Sequence, residues 1–203
     1  MRWFYELVYG RMRAPWDVGP RPELVELVES GRWKPCRVID LGSGTASNCI
    51  FLAQHGFQVT GVDFAQAAID LGVRRAEAAG VSVRFVRDDL TNLQNVEGPF
   101  DLLVDYGTLD DLAPADRDRY QSNILRLTRP GTAFLLYAFE WRMRWWETVL
   151  LKVFSFLGHM ALEPGEVGRR FGLDFEIERI GGAGGLRGWP RGYGVYLMHR
   201  KSG

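Results

Sequence analysis

The run VIDLGSGTASNCIFLA, residues 38–53, constrains this chain more than any other stretch. Four apolar-biased residues lead into Gly42-Ser43-Gly44, and a helical pattern follows without a spacer. A buried strand that turns sharply into a helix on glycines is a ligand-approach device. It belongs at the carboxyl end of a strand in an open α/β sheet. The pattern G-x-G-x-x-G/A of dinucleotide sites would need Gly or Ala at 47, where Ser47 stands. The tighter spacing G-x-G-x-G/A is met by Gly42, Gly44 and Ala46. Asp40, two residues before the first glycine, would repel a pyrophosphate and attract a cation.

The remaining periodicities build an α/β domain around this turn. Arg37–Leu41 reads as the first strand, Asn48–Gly56 as a helix and Gln58–Val62 as the second strand. Ala65–Ala79 reads as a helix with Ile69, Val73 and Ala76 on one face. Alternation at Val81, Val83 and Phe85 predicts a third strand, and Phe100–Val104 a fourth. Pro114 opens a helix with Tyr120, Ile124 and Leu127 inward, and Thr132–Phe139 is the fifth strand. Phe175–Ile180 and Tyr193–Met198 predict an antiparallel edge pair completing seven strands. Before the core, a helix begins near Pro22 and stops at Gly31. In Trp145–Met160, Trp146, Val149, Leu150, Val153, Phe154 and Leu157 form an amphipathic stripe opposite Glu147, Thr148 and Lys152. It suits a core helix, an apolar lid, a dimer contact or a shallow membrane contact.

Strand tips carry carboxylates. Asp63 ends the second strand 19 residues after Gly44, where an acid can accept both ribose hydroxyls of a nucleoside. Asp88 and Asp89 follow the third strand, where a carboxylate can meet an adenine amino group or cap the next segment, with Leu90 beside it. Asp110-Asp111 after the fourth strand can hold or deprotonate an acceptor. Capping the next helix is their simpler expected role.

DLGSGTA, GVDFA, FVRDDL and FDLLVDYGTLDDL, in this order, resemble the successive motifs of class I methyltransferases over about Arg37 to Phe139. The resemblance implies a Rossmann-like three-layer sandwich whose mostly parallel seven-stranded sheet has an antiparallel C-terminal strand. It implies S-adenosylmethionine as cofactor, which has no phosphate and carries a sulfonium and an ammonium. Asp40, Gly42, Ser43 and Gly44 would surround its methionine part. Asp63, with Phe64 beside it, would take the ribose, Asp88, Asp89 and Leu90 the adenine end, and Asp105 or Tyr106 would lie under the cofactor. Ala46 departs from the family's more frequent glycine. APWDVGPRPEL is similar to the P-W-D-x-G-x-x-x-P segment of small-molecule thiol, halide and heterocycle methyltransferases, matched by Pro15, Trp16, Asp17, Gly19 and Pro22. That likeness places Trp16 near the cofactor and the segment over the acceptor pocket.

The expected organisation is one domain: residues 1–33 as cap and acceptor-pocket segment, 34–140 as cofactor-binding core and 141–163 as an inserted helix. Asp110, Asp111 and Tyr106 are the candidate catalytic groups. The expected reaction is methyl transfer to a small, largely apolar thiol, heterocyclic nitrogen or phenol/quinol oxygen. The rivals are an NAD(P)-dependent oxidoreductase and a non-catalytic adenosylmethionine-binding module. Lys plus Arg and Asp plus Glu both total 25, without a basic stripe, which argues against a nucleic-acid partner. The three histidines and two cysteines form no metal-ligand pattern, so no metal is expected. The N-terminal stretch lacks a signal-peptide core and no apolar run spans a bilayer. Cytoplasmic placement, as monomer or homodimer, with at most weak peripheral membrane contact, is expected.

Overall fold

The computed structural model describes residues 2–11, 17–141, 161–182 and 191–202. The Trp145–Met160 stripe, Trp16 and the Gly-rich loop before the last strand fall outside these residues. A seven-stranded sheet runs β3-β2-β1-β4-β5-β7-β6. Its strands are β1 Arg37–Leu41, β2 Gln58–Asp63, β3 Arg84–Arg87, β4 Leu102–Tyr106, β5 Ala133–Trp141, β6 Phe175–Gly181 and β7 Arg191–Arg200. The first five pair in parallel. β7 runs antiparallel between β5 and β6. The sheet is therefore mostly parallel, as expected, but of the C-terminal pair β7 lies inside it and only β6 is at an edge.

Helices cover both faces. On one, α2 (Pro22–Glu29) and α3 (Ser47–Gln54) bury Leu24, Leu27, Val28, Cys49, Phe51 and Leu52 against Val38, Val104 and Leu135. On the other, α5 (Pro114–Leu127) and α6 (Glu166–Phe171) bury Tyr120, Ile124, Leu127, Val167 and Phe171 against Ile39, Leu103 and Phe134. Proline at N1 fits α2 and α5, because that position needs no N–H partner. Strand order reverses between β1 and β4, so a crevice opens at their carboxyl ends, where such sheets bind ligands.

Two local readings change. β3 starts at Arg84, not Val81, because Gly80 turns left-handed at φ 67° and Val81 N–H closes back on Ala76 O. On α4 (Gln66–Ala78) the buried face is Ala68, Ile69, Gly72 and Ala76, while Val73 is 38% exposed. A Cβ on Gly72 would sit 2.8 Å from the Phe85 ring, so the missing side chain admits an aromatic from β3. Hydrophobic counting cannot see such a contact. A further helix, α1 (Arg2–Arg11), not read from the sequence, packs against α4.

Candidate functional site

The glycine turn is held from beneath by its neighbours. Gly42 and Ser43 N–H both donate to Val62 O at 2.8 Å, and Ala46 N–H donates to Ser43 O. Gly42 has φ 73° and Gly44 φ 50°, which glycine adopts without the Cβ penalty. A Cβ on Gly42 would lie 2.1 Å from Thr108 Oγ1, which itself donates to Leu41 O at 2.9 Å. A Cβ on Gly44 would lie 2.9 Å from the Tyr9 hydroxyl of α1. The Ser43 hydroxyl is buried and has no hydrogen-bond partner among the described residues.

Three buried carboxyl groups ring this turn, one at the end of each of three neighbouring strands. Asp63 accepts Gly44 N–H and Ala65 N–H, both at 2.9 Å, so it fixes the glycine turn and the start of α4 together. Burial pushes its pKa up to about 6. Asp40 sits below the turn and accepts the Cys49 thiol at 3.2 Å. Burial, then the Asp105 and Asp63 charges, push it up to about 7. Asp105 accepts Tyr120 OH, Thr108 N–H and Leu109 N–H, and burial pushes it up to about 6. Among the described residues, no Arg or Lys pairs with any of the three. Such a cluster favours a cation and disfavours a phosphate.

The other candidates divide. Asp88 accepts from Asp89, Gln94 and Asn95 N–H, so it closes the turn after β3. Asp89 receives the Thr91 amide and hydroxyl on one oxygen. Leu90 is buried in the core. Phe64 lies edge-on to Tyr5 with ring centres 5.6 Å apart. Tyr106 stacks on Tyr137 at 4.2 Å, and the Arg21 guanidinium covers its ring at 3.8 Å. Asp105 is wholly buried, with its carboxylate accepting from the β4–α5 turn and Tyr120, and Tyr106 follows it on the strand. One expectation needs correction. Asp110 and Asp111 do not cap α5, whose N-cap is Ala113 and has no side-chain bond. Asp111 instead accepts the Tyr5 hydroxyl.

Residues of α1 that the motif reading missed, with Asp17 of the matched N-terminal segment, complete the site. α1 roofs it: Tyr5 reaches Asp111, Tyr9 covers Gly44, and the Glu6 carboxylate accepts Gln66 and Ala67 N–H at 2.9 and 3.0 Å. Asp17 accepts Thr45 Oγ1 at 2.8 Å and Ser47 Oγ at 3.2 Å while pairing with Arg75 at 2.7 Å, which lowers its pKa to about 2. The segment before α2 is thereby clamped to the glycine turn. The paired aromatics at Tyr5 and Tyr9, four residues apart, were the available signal.

Residues 38–131 match the family model described as a methyltransferase domain. Those residues make up a little under half of the chain. A 2-heptyl-1-hydroxyquinolin-4(1H)-one methyltransferase of Mycobacteroides abscessus is 32% identical over 130 residues, covering 63% of this chain and 57% of that protein. The chain thus spans little more than half the length of that relative. The fold is shared with Burkholderia thailandensis 1,6-didemethyltoxoflavin-N1-methyltransferase, solved with 1,6-didemethyltoxoflavin and S-adenosylhomocysteine (TM-score 0.73, 19% identity, 99% of this chain and 87% of that one). It is shared equally with the [4+2]-cyclase SpnF (TM-score 0.75, 16% identity, 100% and 96% covered), so fold likeness alone does not fix a reaction. S-adenosylhomocysteine, bound in that heterocycle methyltransferase, is the demethylated form of S-adenosylmethionine. Its chemistry fits what stands here: an orphaned buried hydroxyl at Ser43, a backbone turn without side chains, and carboxyl groups lacking a basic partner among the described residues.

Proposed function

We propose that the chain transfers the methyl group of S-adenosylmethionine to a small, largely apolar acceptor bearing a thiol, a heterocyclic nitrogen or a phenol/quinol oxygen. The observation that carries this reading is the ring of buried carboxyl groups around a phosphate-unfriendly glycine turn. Bound there, the cofactor supplies a methyl group already activated by its sulfonium.

The chain's own residues bind and orient. Asp63 holds the ribose hydroxyls on the lone pairs left by its two backbone bonds. The Ser43 hydroxyl and the Gly42–Gly44 backbone take the methionine end, with Asp40 adding negative potential from below. Asp89 and Leu90, on the turn that Asp88 closes, take the adenine. Phe64, Tyr106 and Trp16 supply apolar cover. Residues 1–33 close the site as a cap, and with 34–140 and 141–163 make one domain. Alignment inside such an enclosure can contribute about 7–11 kcal/mol of the barrier, so no strong base is demanded for a thiolate or ring nitrogen. The acceptor classes draw support from the hydroxyquinolone in the relative's name and the heterocycle in the solved neighbour's. No described helix is long and apolar enough to cross a membrane.

A thermal-shift titration with S-adenosylmethionine, S-adenosylhomocysteine, NAD and NADP tests the reading. A ligand specific for the folded state adds about 2.7 kcal/mol at 100 times its dissociation constant. Stabilisation by the two adenosyl compounds alone, lost in Asp63→Ala, is expected. Stabilisation by NAD or NADP instead would mean an oxidoreductase. Binding without turnover on thiol, heterocycle and phenol panels would mean a binding module.

A further inference from the structure

The turn between β4 and α5 holds a carboxyl group with one oxygen that no described residue engages. Asp110 is 1% exposed, and its Oδ1 has no hydrogen-bond partner among the described residues. Its backbone is pinned, since Arg117 Nη2 donates to Asp110 O at 3.2 Å. The charged and titratable groups around it are Asp111 on the same turn, Asp105 on β4, Tyr5 on α1, Tyr120 on α5, Tyr137 on β5 and Arg117 on α5, whose guanidinium bonds the Asp110 backbone oxygen and pairs with the Glu166 carboxylate. Burial and the neighbouring carboxylates raise its pKa well above the ordinary aspartate value.

Native folds satisfy nearly all buried acceptors, and an exception calls for a partner from outside the fold. The position says which partner. The Asp110 charge acts on Tyr5 of α1 and on Tyr137 of β5, whose ring stacks between Tyr106 and Tyr193 with centres 4.2 and 4.9 Å away. Phe139, half exposed, meets Tyr137 edge-on at 5.4 Å. The partner must therefore present a hydrogen-bond donor from a largely aromatic frame. A thiol is a weak donor and serves poorly.

Resting on the methyl-transfer reading above, we propose that Asp110 is an acceptor-binding residue whose Oδ1 accepts a hydrogen bond from a hydroxyl or N–H of an aromatic acceptor. This narrows the acceptor classes to oxygen and nitrogen compounds. Asp111, held by Tyr5, links occupancy of that spot to the α1 roof.

The test uses the full chain as wild type, Asp110→Ala and Asp110→Asn. The probes are 2-heptyl-1-hydroxyquinolin-4(1H)-one, its O-methyl ether and thiophenol, titrated by calorimetry alone and with S-adenosylhomocysteine. Ligand-free melting is measured alongside. The wild type is expected to favour the hydroxyl probe over ether and thiol. Asp110→Ala is expected to bind the hydroxyl probe roughly tenfold or more weakly. It should leave S-adenosylhomocysteine affinity unchanged and melt no lower, and up to about 4 °C higher, because a costly buried acceptor is gone. Asp110→Asn, which keeps an acceptor oxygen, should recover part of the binding. A lower melting temperature in both variants with unchanged probe binding would make Asp110 a structural residue and overturn the proposal. So would a wild type that shows no preference for the hydroxyl probe. Absence of S-adenosylhomocysteine binding in the wild type would break the methyl-transfer reading instead, and the ligand-free melts and probe titrations would still decide the role of Asp110.

Discussion

The glycine turn and the turn after β4 both bury aspartates at the carboxyl ends of neighbouring strands, yet they use them in opposite ways. At the first, Asp63 receives two backbone N–H groups and Asp40 a thiol, so each carboxyl group stiffens the frame that would hold a ligand. At the second, Asp110 keeps an oxygen with no donor among the described residues while Asp111 ties down a helix from far away in sequence. A satisfied carboxylate shapes backbone; an unsatisfied one is held in reserve for something the chain does not contain. The contrast also separates what a motif can specify from what only tertiary structure can.

The largest effect should come from filling the glycine turn. Gly42→Ala combines a left-handed backbone at φ 73° with a Cβ 2.1 Å from Thr108 Oγ1. Left-handed strain of about 1–2 kcal/mol and overpacking of about 1–3 kcal/mol should add. Denaturant unfolding is the measurement. Shortening the neighbour in Gly42→Ala/Thr108→Ala should recover the packing part and leave the backbone part. Equal destabilisation of single and double variants would show that the turn is limited by backbone strain alone. No comparable loss should follow substitution at Asp110.

The next effect is a pH dependence that belongs mainly to the satisfied group. Asp40 at about 7, and Asp63 and Asp105 at about 6, hold protons in the folded chain that they have released in the unfolded one above about pH 4. Their contribution to stability is full below that value and is lost as pH rises through 6 to 7. Asp110, shifted in the same direction, adds to it. Asp17, lowered to about 2 beside Arg75, acts with the opposite sign in a separate window, between about 2 and 4. Ligand-free melting temperatures should therefore fall between about pH 5 and about pH 8. Asp40→Asn should flatten the slope, and a bound cationic ligand should oppose it. A melting temperature that rises over this range would mean that the carboxyl groups are solvated or paired.

How far the sequence was legible follows the same division. Arg37–Leu41 was readable to the residue, because a short apolar run stopping at glycine has one economical fold. The tip acids could be ordered along the sheet because each closes a strand. The Asp110-Asp111 pair misled, because a carboxylate shortly before a helix resembles a cap, whereas the N-cap position itself falls two residues later, on Ala113. Tyr5, Glu6 and Tyr9 of α1 were invisible as site residues. Their partners Asp111, Gln66 and Gly44 are dozens of positions away. Arg75, on the outer side of a helix pattern, gave no sign that it would hold Asp17 against the glycine turn.

Glu6 sharpens the comparison at a smaller scale. α4 has no side-chain cap of its own at Ala65, and Glu6 supplies one from another helix. Glu6→Ala should cost about 1 kcal/mol, the worth of a lost N-cap. It should also loosen α1 from both turns, so amide exchange should quicken in α1 and at Gly44 but not in β1. Unchanged exchange in α1 would mean that its ring contacts alone hold the roof.

The smallest effect, Ala46→Gly, asks whether the glycine turn is strained or only shaped. Ala46 has φ 66° and is wholly buried, so it holds a left-handed conformation with a side chain that pays for itself by packing. Glycine would relieve about 1 kcal/mol of backbone strain. It would forfeit a buried methyl worth about 0.8 kcal/mol and raise unfolded-state entropy by about 0.4–1 kcal/mol. These terms leave a net loss of about 0.2–0.8 kcal/mol, so unfolding free energy should fall by less than about 1 kcal/mol. A gain above about 1 kcal/mol would show strain stored in the turn. The glycine turn would then resemble Asp110, a feature kept at a cost to the fold for what binds beside it.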